Sequence, residues 1–296
     1  MSSASGVRRW KFNLRRLLVV YVAIPYLTVT LLFVVCQRRL MYRPTVNGRL
    51  NVSQTNLDSA SSIDVSLRTP DGTTLNGWLL KPTFDGHDRE SPLVIYFPGN
   101  SLNRSLRIND LSEVTSMGFS VLIFDYRGFG DSEGSPTERH LSEDVRLIWA
   151  FARDGLGYSE EQIVIFGESL GGAVALSLWS DRQIPSPKPV ALLLSSTFSS
   201  MPAIVRWHYP CFPFQFLLLD PWPSIERIAN VTSQVVVFHG TEDAMVPLSD
   251  ARNLAAAATS RARFIEIKGA GHNDLPTSQL RAELARLRLE MMAENR

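Results

Sequence analysis

From Leu93 onward the chain alternates between two kinds of pattern. Short apolar runs bounded by Gly, Pro and polar residues read as strands, at Leu93–Phe97, the run opening at Ile163, 190–194 and Gln234–Gly240, and Ala262–Ile267 reads as a strand by its alternation. Between them lie longer segments with apolar positions at helical spacing, at 104–117, 137–152, 169–179, 248–259 and 277–294. Strand alternating with helix predicts a doubly wound, mostly parallel sheet with helices on both faces. Upstream, 63–67 and 75–80 flank the turn Pro70-Asp-Gly72 and predict an antiparallel hairpin. No internal repeat or low-complexity tract interrupts the pattern.

The front of the chain is of another kind. Residues 17–36 carry no charge over twenty positions, enough for about 30 Å of helix and one bilayer crossing. The run is too long for a signal-peptide core, no A-x-A site follows it, and Pro25 is tolerable in a membrane helix. The expected organisation is a basic segment 1–16, a transmembrane helix 17–36, a polar tether 37–60 and a domain 61–296 with a cap at about 195–233. Nine of the 30 Lys and Arg residues lie in 1–50, which has no Asp or Glu, so 21 basic face 29 acidic residues in the remainder, a net of −8. An acidic domain without a basic stripe argues against nucleic-acid binding. Arg8, Arg9, Lys11, Arg15 and Arg16 slightly outweigh Arg38, Arg39, Arg43 and Arg49 on the far flank, which places the domain on the non-cytoplasmic side. There the sequons at Asn51, Asn103 and Asn230 matter, although Asn103 lies too near the candidate site to carry a glycan.

The chemistry begins at Gly167-Glu-Ser-Leu-Gly171, a G-x-S-x-G string between a strand and the helix-forming Ala173-Val-Ala-Leu-Ser-Leu-Trp179. A serine on such a turn holds its hydroxyl proud of the sheet, and Gly167 and Gly171 relieve the crowding. Ser169 needs a histidine to take its proton and a carboxylate to hold that histidine. Asp243 follows the strand 234–240, and His272 follows the strand 262–267 on the glycine-rich loop Lys268-Gly-Ala-Gly-His272, giving the chain order Ser, Asp, His. Glu242 and Asp274 are the rival acids. His87, His140 and His208 follow no strand, whereas His239 does but precedes the acid and reads as a structural histidine beside the site. Backbone N–H groups of Leu170 and Asn100, with Ser101 second, are the candidate oxyanion donors.

Together the motifs Phe97-Pro-Gly-Asn100, Asp125-Tyr-Arg-Gly-Phe-Gly-Asp-Ser-Glu-Gly134, Gly167-Glu-Ser-Leu-Gly171, His239-Gly-Thr-Glu-Asp243 and Gly269-Ala-Gly-His272 resemble the α/β-hydrolase superfamily. Within it they resemble the small membrane-anchored hydrolases of the bud-emergence type. The resemblance spans roughly residues 60 to 290 and implies an eight-stranded sheet, acyl-hydrolase activity, and nucleophile, acid and base roles for Ser169, Asp243 and His272. The family usually writes His-Gly where this chain has Pro98-Gly99, a change expected to alter loop packing more than chemistry. The stretch from Asp125 to Gly134 lacks the Lys and Ser/Thr of a phosphate loop, so Asp125, Arg127 and Asp131 are expected to bond locally.

Within the cap, Met201, Trp207, Phe212, Phe214 and Phe216 are candidates for an apolar acyl pocket or for packing the cap onto the core. No His, Cys and carboxylate cluster has metal-ligand spacing, no cofactor is implied, and Cys36 and Cys211 are too differently placed to pair. The expectation is a membrane-tethered serine hydrolase acting on a small-molecule or lipid-like ester or thioester through an acyl-enzyme. A peptidase or amidase on the same triad is the rival reaction, and a catalytically silent anchored interaction domain the rival class.

Overall fold

The computed structural model describes residues 14–55, 62–82, 91–180, 186–258, 262–274 and 277–294. Arg8, Arg9, Lys11, His87, Thr259 and positions 56–60 of the expected tether lie outside the described residues.

Eight strands form one sheet: β1 Ser62–Arg68, β2 Thr74–Leu80, β3 Leu93–Phe97, β4 Ser120–Phe124, β5 Ile163–Glu168, β6 Ala191–Ser195, β7 Gln234–Gly240 and β8 Ala262–Ile267. Their order across the sheet is β8-β7-β6-β5-β3-β4-β2-β1. β2 alone runs against the direction of the other seven strands, pairing Leu79 with Ile63 on one side and with Leu122 on the other. The helices are α1 Ile24–Met41, α2 Ile108–Ser116, α3 Glu138–Ala150, α4 Leu170–Leu176, α5 Met201–His208, α6 Ser224–Ile228, α7 Leu248–Ala257 and α8 Thr277–Glu294.

The central strands are apolar without alternation because both faces are covered. In β3, Leu93, Ile95 and Phe97 enter one core, while Val94 and Tyr96 enter the other with Leu111 of α2 and Leu284 of α8. Burying such a side chain contributes roughly 1.5–3 kcal/mol, so both faces fix the register. Every parallel strand ends at one edge of the sheet, where the loops carrying the candidate site converge.

The apolar front segment is helical from Leu14 to Met41, its most apolar 18 residues have a mean hydropathy of 2.4, and it is long and apolar enough to cross a membrane. Its wider turn at Val19–Ala23 ends where Pro25, which has no N–H, enters the ladder. The helix runs five residues beyond the expected end at Cys36. Residues 37–55, the described part of the expected tether, are fastened to the domain. Arg38 donates from Nε and from one terminal nitrogen to the two oxygens of Asp220 at 2.9 and 3.1 Å. Tyr42 is buried and donates to Asp220 at 3.2 Å, Arg43–Pro44 pair with Ser101–Leu102, and the Leu50 N–H reaches Asp131 at 2.9 Å. The adjacent Met41 and Tyr42, and Val52 alone in its polar run, supply the buried anchors.

Candidate active site

The elbow is built from backbone strain. Ser169 sits at φ 51° and ψ −115°, between the end of β5 and the start of α4, a conformation that costs on the order of 1–3 kcal/mol and persists only where surroundings impose it. Those surroundings are close: the Ser169 N–H donates to the Ser195 carbonyl at 2.7 Å, and a Cβ on Gly171 would lie 1.9 Å from the Phe97 carbonyl oxygen. A Cβ on Gly167 would lie 2.6 Å from the Gly172 Cα. The two glycines therefore let the turn press against its own helix and against β3.

His272 joins the two other residues of the set. The Ser169 hydroxyl lies 3.0 Å from His272 Nε2, and His272 Nδ1 lies 2.8 Å from Asp243 Oδ2. A carboxylate opposite Nδ1 fixes the proton there and leaves Nε2 as the acceptor for the serine hydroxyl. The other Asp243 oxygen accepts the N–H groups of Met245 and Val246, each at 2.8 Å. Burial alone would raise this carboxyl, but the bonds from His272 and the two backbone N–H groups outweigh it and hold Asp243 below its usual range. Asp243 is thus kept ionised while lying within the fold.

The competitors are placed elsewhere. Glu242 and Asp274 are exposed. His140 contacts the Ser135 carbonyl and His208 the Met245 carbonyl. His239 is fully buried, directs Nε2 to the Val246 carbonyl at 2.9 Å, and lies with that nitrogen 3.5 Å from Asp243. Burial lowers its pKa, partly opposed by Val246 and Asp243, so it stays neutral beside the acid.

The candidate oxyanion loop is tied to the N-terminal helix. The Asn100 side-chain amide donates to the Met41 carbonyl at 2.7 Å, and the Asn100 carbonyl accepts the Arg43 N–H at 2.9 Å. Tyr126 donates its hydroxyl to the Pro98 carbonyl at 2.7 Å. Leu170 opens α4, where leading N–H groups have no partner within the helix. The glycine-rich stretch after β4 is structural: the Arg104 guanidinium pairs with both Asp125 and Asp131, and Arg127 forks onto Asp144 at 2.8 Å on each arm. Asn103 is buried and its amide meets the Thr45 carbonyl, so that sequon is closed to a glycan.

None of the five cap residues considered for an acyl pocket lines the cavity that reaches His272. Phe214 stacks on Phe33 at 4.0 Å and Phe212 on Tyr26 at 5.1 Å, Met201 packs on the core, and Trp207 and Phe216 face outward. A cavity of about 150 Å³ lies instead across the sheet from the cap, between Tyr96, Phe166, Glu168, Leu284 and His272. There Tyr96 donates to Glu168 at 2.7 Å and Arg107 pairs with the same carboxylate at 3.0 Å. A residue absent from the sequence expectation is Ser196, at φ 50°, whose hydroxyl donates to the His272 carbonyl at 3.1 Å. The Ser-Ser-Thr run after β6 is its only trace in the sequence. Among the described residues no group of His, Cys, Asp and Glu assembles that would hold a metal ion.

An eight-stranded, mostly parallel sheet with a strand-turn-helix serine and an Asp–His pair at its carboxyl edge defines an α/β-hydrolase, and the chain belongs to that superfamily. Residues 103–220 match the family profile described as serine aminopeptidase, S33. The chain is 39% identical over 243 residues to the uncharacterized protein Rv2307c of Mycobacterium tuberculosis, covering 80% of this chain and 81% of that protein. It is 30% identical over 223 residues to the uncharacterized protein YfhR of Salmonella typhi, covering 73% and 76%. Among solved structures it is similar to the esterase Pf2001 of Pyrococcus furiosus, with a TM-score of 0.63, 17% identity, and 84% and 98% of the two chains covered. Est1E of Butyrivibrio proteoclasticus with ferulic acid bound gives a TM-score of 0.62 at 19% identity, covering 77% and 99%.

Proposed function

We propose that this chain is a membrane-anchored serine hydrolase that cleaves carboxylic ester or thioester bonds through an acyl-enzyme. The observation that carries the reading is the continuous relay from the Ser169 hydroxyl through His272 to Asp243, at 3.0 and 2.8 Å. Ser169 Oγ attacks the acyl carbonyl as its proton passes to His272 Nε2, and the imidazolium is steadied by Asp243. The developing oxyanion is met by the N–H groups of Leu170 and Asn100, each such donor being worth roughly 3 kcal/mol. The protonated His272 then gives its proton to the leaving oxygen or sulfur. In the second half His272 takes a proton from water, the hydroxide adds to the acyl carbonyl, and Ser169 leaves with the proton returned. The apolar helix from Leu14 to Met41 supports the anchoring part of this reading, and the basic excess before it supports a domain on the non-cytoplasmic side.

A fluorophosphonate probe tests the nucleophile: the native chain is labelled, Ser169→Ala is not, and absence of labelling in the folded native chain would favour the silent interaction module. The match to the serine aminopeptidase profile favours a second reaction, amide cleavage by the same three residues. A chain-length series of p-nitrophenyl esters beside a peptide-amide panel separates the two.

A further inference from the structure

The cap runs alongside the N-terminal helix. Tyr26 stacks on Phe212 and Phe33 on Phe214, with both ring pairs within 7° of parallel. At a rise of about 1.5 Å per residue, Phe33 lies roughly 8 Å and Tyr26 roughly 18 Å from the level of Arg38, on the side of the uncharged span. With that span in a bilayer, both rings lie within hydrocarbon, and the cap rings stacked on them share their depth.

The cap loop is suited to such surroundings. From Trp207 to Leu219 there is no Asp, Glu, Lys or Arg. Trp207, Phe216 and Leu219 are 53%, 80% and 56% exposed, an apolar rim continuous with the helix. Irregular backbone survives at membrane depth only where its polar groups find partners. Pro210 and Pro213 have no N–H, and the N–H groups of Tyr209, Phe212, Phe216 and Leu217 donate within the cap. The helix supplies further partners: Tyr26 donates to the Cys211 carbonyl at 3.2 Å, Gln37 donates to the Leu217 carbonyl at 3.1 Å, and Gln37 Oε1 accepts the Leu219 N–H at 2.7 Å. The charged fork of Arg38 on Asp220 marks the level at which water or headgroups begin. The same cap touches the site, because His208 meets the carbonyl of Met245, whose N–H holds Asp243.

We propose that cap residues 207–219 are sunk into a lipid surface beside the N-terminal helix, so that the site opens onto the membrane and takes its acyl substrate from the lipid phase. The substrate clause rests on the serine-hydrolase reading, and the seat in the membrane rests only on its anchoring part.

Full-length Cys36→Ser protein carrying a nitrobenzoxadiazole probe on Cys211 is reconstituted in phosphatidylcholine vesicles. The reference is the same probe at Lys188→Cys in a Cys36→Ser, Cys211→Ser background, an exposed position just before β6 and so at the opposite edge of the sheet. The Cys211 probe is expected to be quenched by acyl-chain nitroxides and shielded at least fivefold from aqueous iodide relative to position 188. Equal iodide quenching at the two positions overturns the proposal, as does protection of Cys211 from both quenchers, which would mean that protein covers it, or failure of the chain to float with vesicles. Leu219→Glu, away from the reacting groups, tests the substrate clause. It is expected to lower turnover of a long-chain monoacylglycerol in vesicles at least tenfold while leaving p-nitrophenyl butyrate hydrolysis in detergent unchanged. Equal effects on both substrates overturn that clause. Fluorophosphonate labelling of the same samples reads Ser169 separately, so loss of the hydrolase reading is distinguishable from loss of the membrane seat.

Discussion

Arg38 and Asp220 form a two-armed ion pair across 182 residues of sequence, with the acidic side chain 3% exposed and the basic one 45%. The pair clamps the end of α1 to the cap, and Tyr42 and Trp222 extend it inward, since Tyr42 donates to Asp220 and Trp222 donates to the Tyr42 hydroxyl at 3.2 Å. Arg38→Ala leaves a buried carboxylate with the Tyr42 hydroxyl as its remaining side-chain donor. The expected loss is about 1–3 kcal/mol, read as a lower Tm together with faster proteolysis between residues 42 and 60. An unchanged Tm would show that the clamp adds nothing measurable.

Asn100 joins this docking to the site. Asn100→Ala removes the amide bond to the Met41 carbonyl but keeps the backbone N–H proposed to face the oxyanion. Catalytic donors lose effect steeply with misplacement, so kcat is expected to fall on the order of tenfold with KM nearly constant. Steady-state kinetics on a short ester checks this, and a pure KM effect would remove Asn100 from any positioning role.

The sequence exposes strands buried on both faces, because two-sided burial selects continuous apolar runs such as Leu93–Phe97 and Ala191–Ser195. The three residues that meet at the site are also legible, since each follows a strand at the same sheet edge, Ser169 and Asp243 after buried runs and His272 after the alternating edge strand Ala262–Ile267. Other features leave no periodic mark. Leu40-Met41-Tyr42 is a short apolar stretch behind two arginines and Val52 a single apolar residue in a polar run, and neither has a period that tells burial from a loose tether. The charges at Arg38 and Arg39 mark the end of an uncharged span, yet helical hydrogen bonding continues past them to Met41. Phe212 and Phe214 show the remaining gap: an apolar side chain announces that it will be covered, but not whether by a ligand or by a helix 180 residues away. Ser196 needed its positive φ to be seen at all.

Removing Ser169 or reversing the histidine tautomer is expected to abolish turnover. Ser169→Ala should lower kcat on the order of 10⁴–10⁶-fold. Asp243→Asn acts differently: the Met245 and Val246 N–H groups keep an oxygen facing them, which turns the new amide NH₂ toward His272 Nδ1. The imidazole proton then moves to Nε2, the nitrogen that must accept from Ser169. A loss on the order of 10⁴ is expected for that wrong tautomer, and a variant retaining a tenth of native kcat would count against Asp243 as the orienting acid.

His239 should give the fold a sensitivity to mild acid. Burial, the largest influence, depresses its pKa, so in the folded chain it stays neutral where an unfolded histidine, near 6.5, already takes a proton. The unfolded state then binds more protons, and this contribution to stability is lost as pH falls from about 6.5 toward the folded value. Asp125 works with the opposite sign in a neighbouring window. Burial against the opposing Arg104 pushes its carboxyl up to about 6, so its contribution is present below the ordinary carboxyl value of 3.8 and is lost as pH rises through about 6. Asp243, depressed, matters only below its ordinary range. Because these windows overlap, the informative quantity is the difference between native chain and His239→Gln, which keeps an amide N–H for the Val246 carbonyl but cannot titrate. Urea unfolding at steps from pH 7 to pH 5 is expected to show the native advantage shrinking steadily, and a difference independent of pH would mean that His239 carries no proton-linked stability.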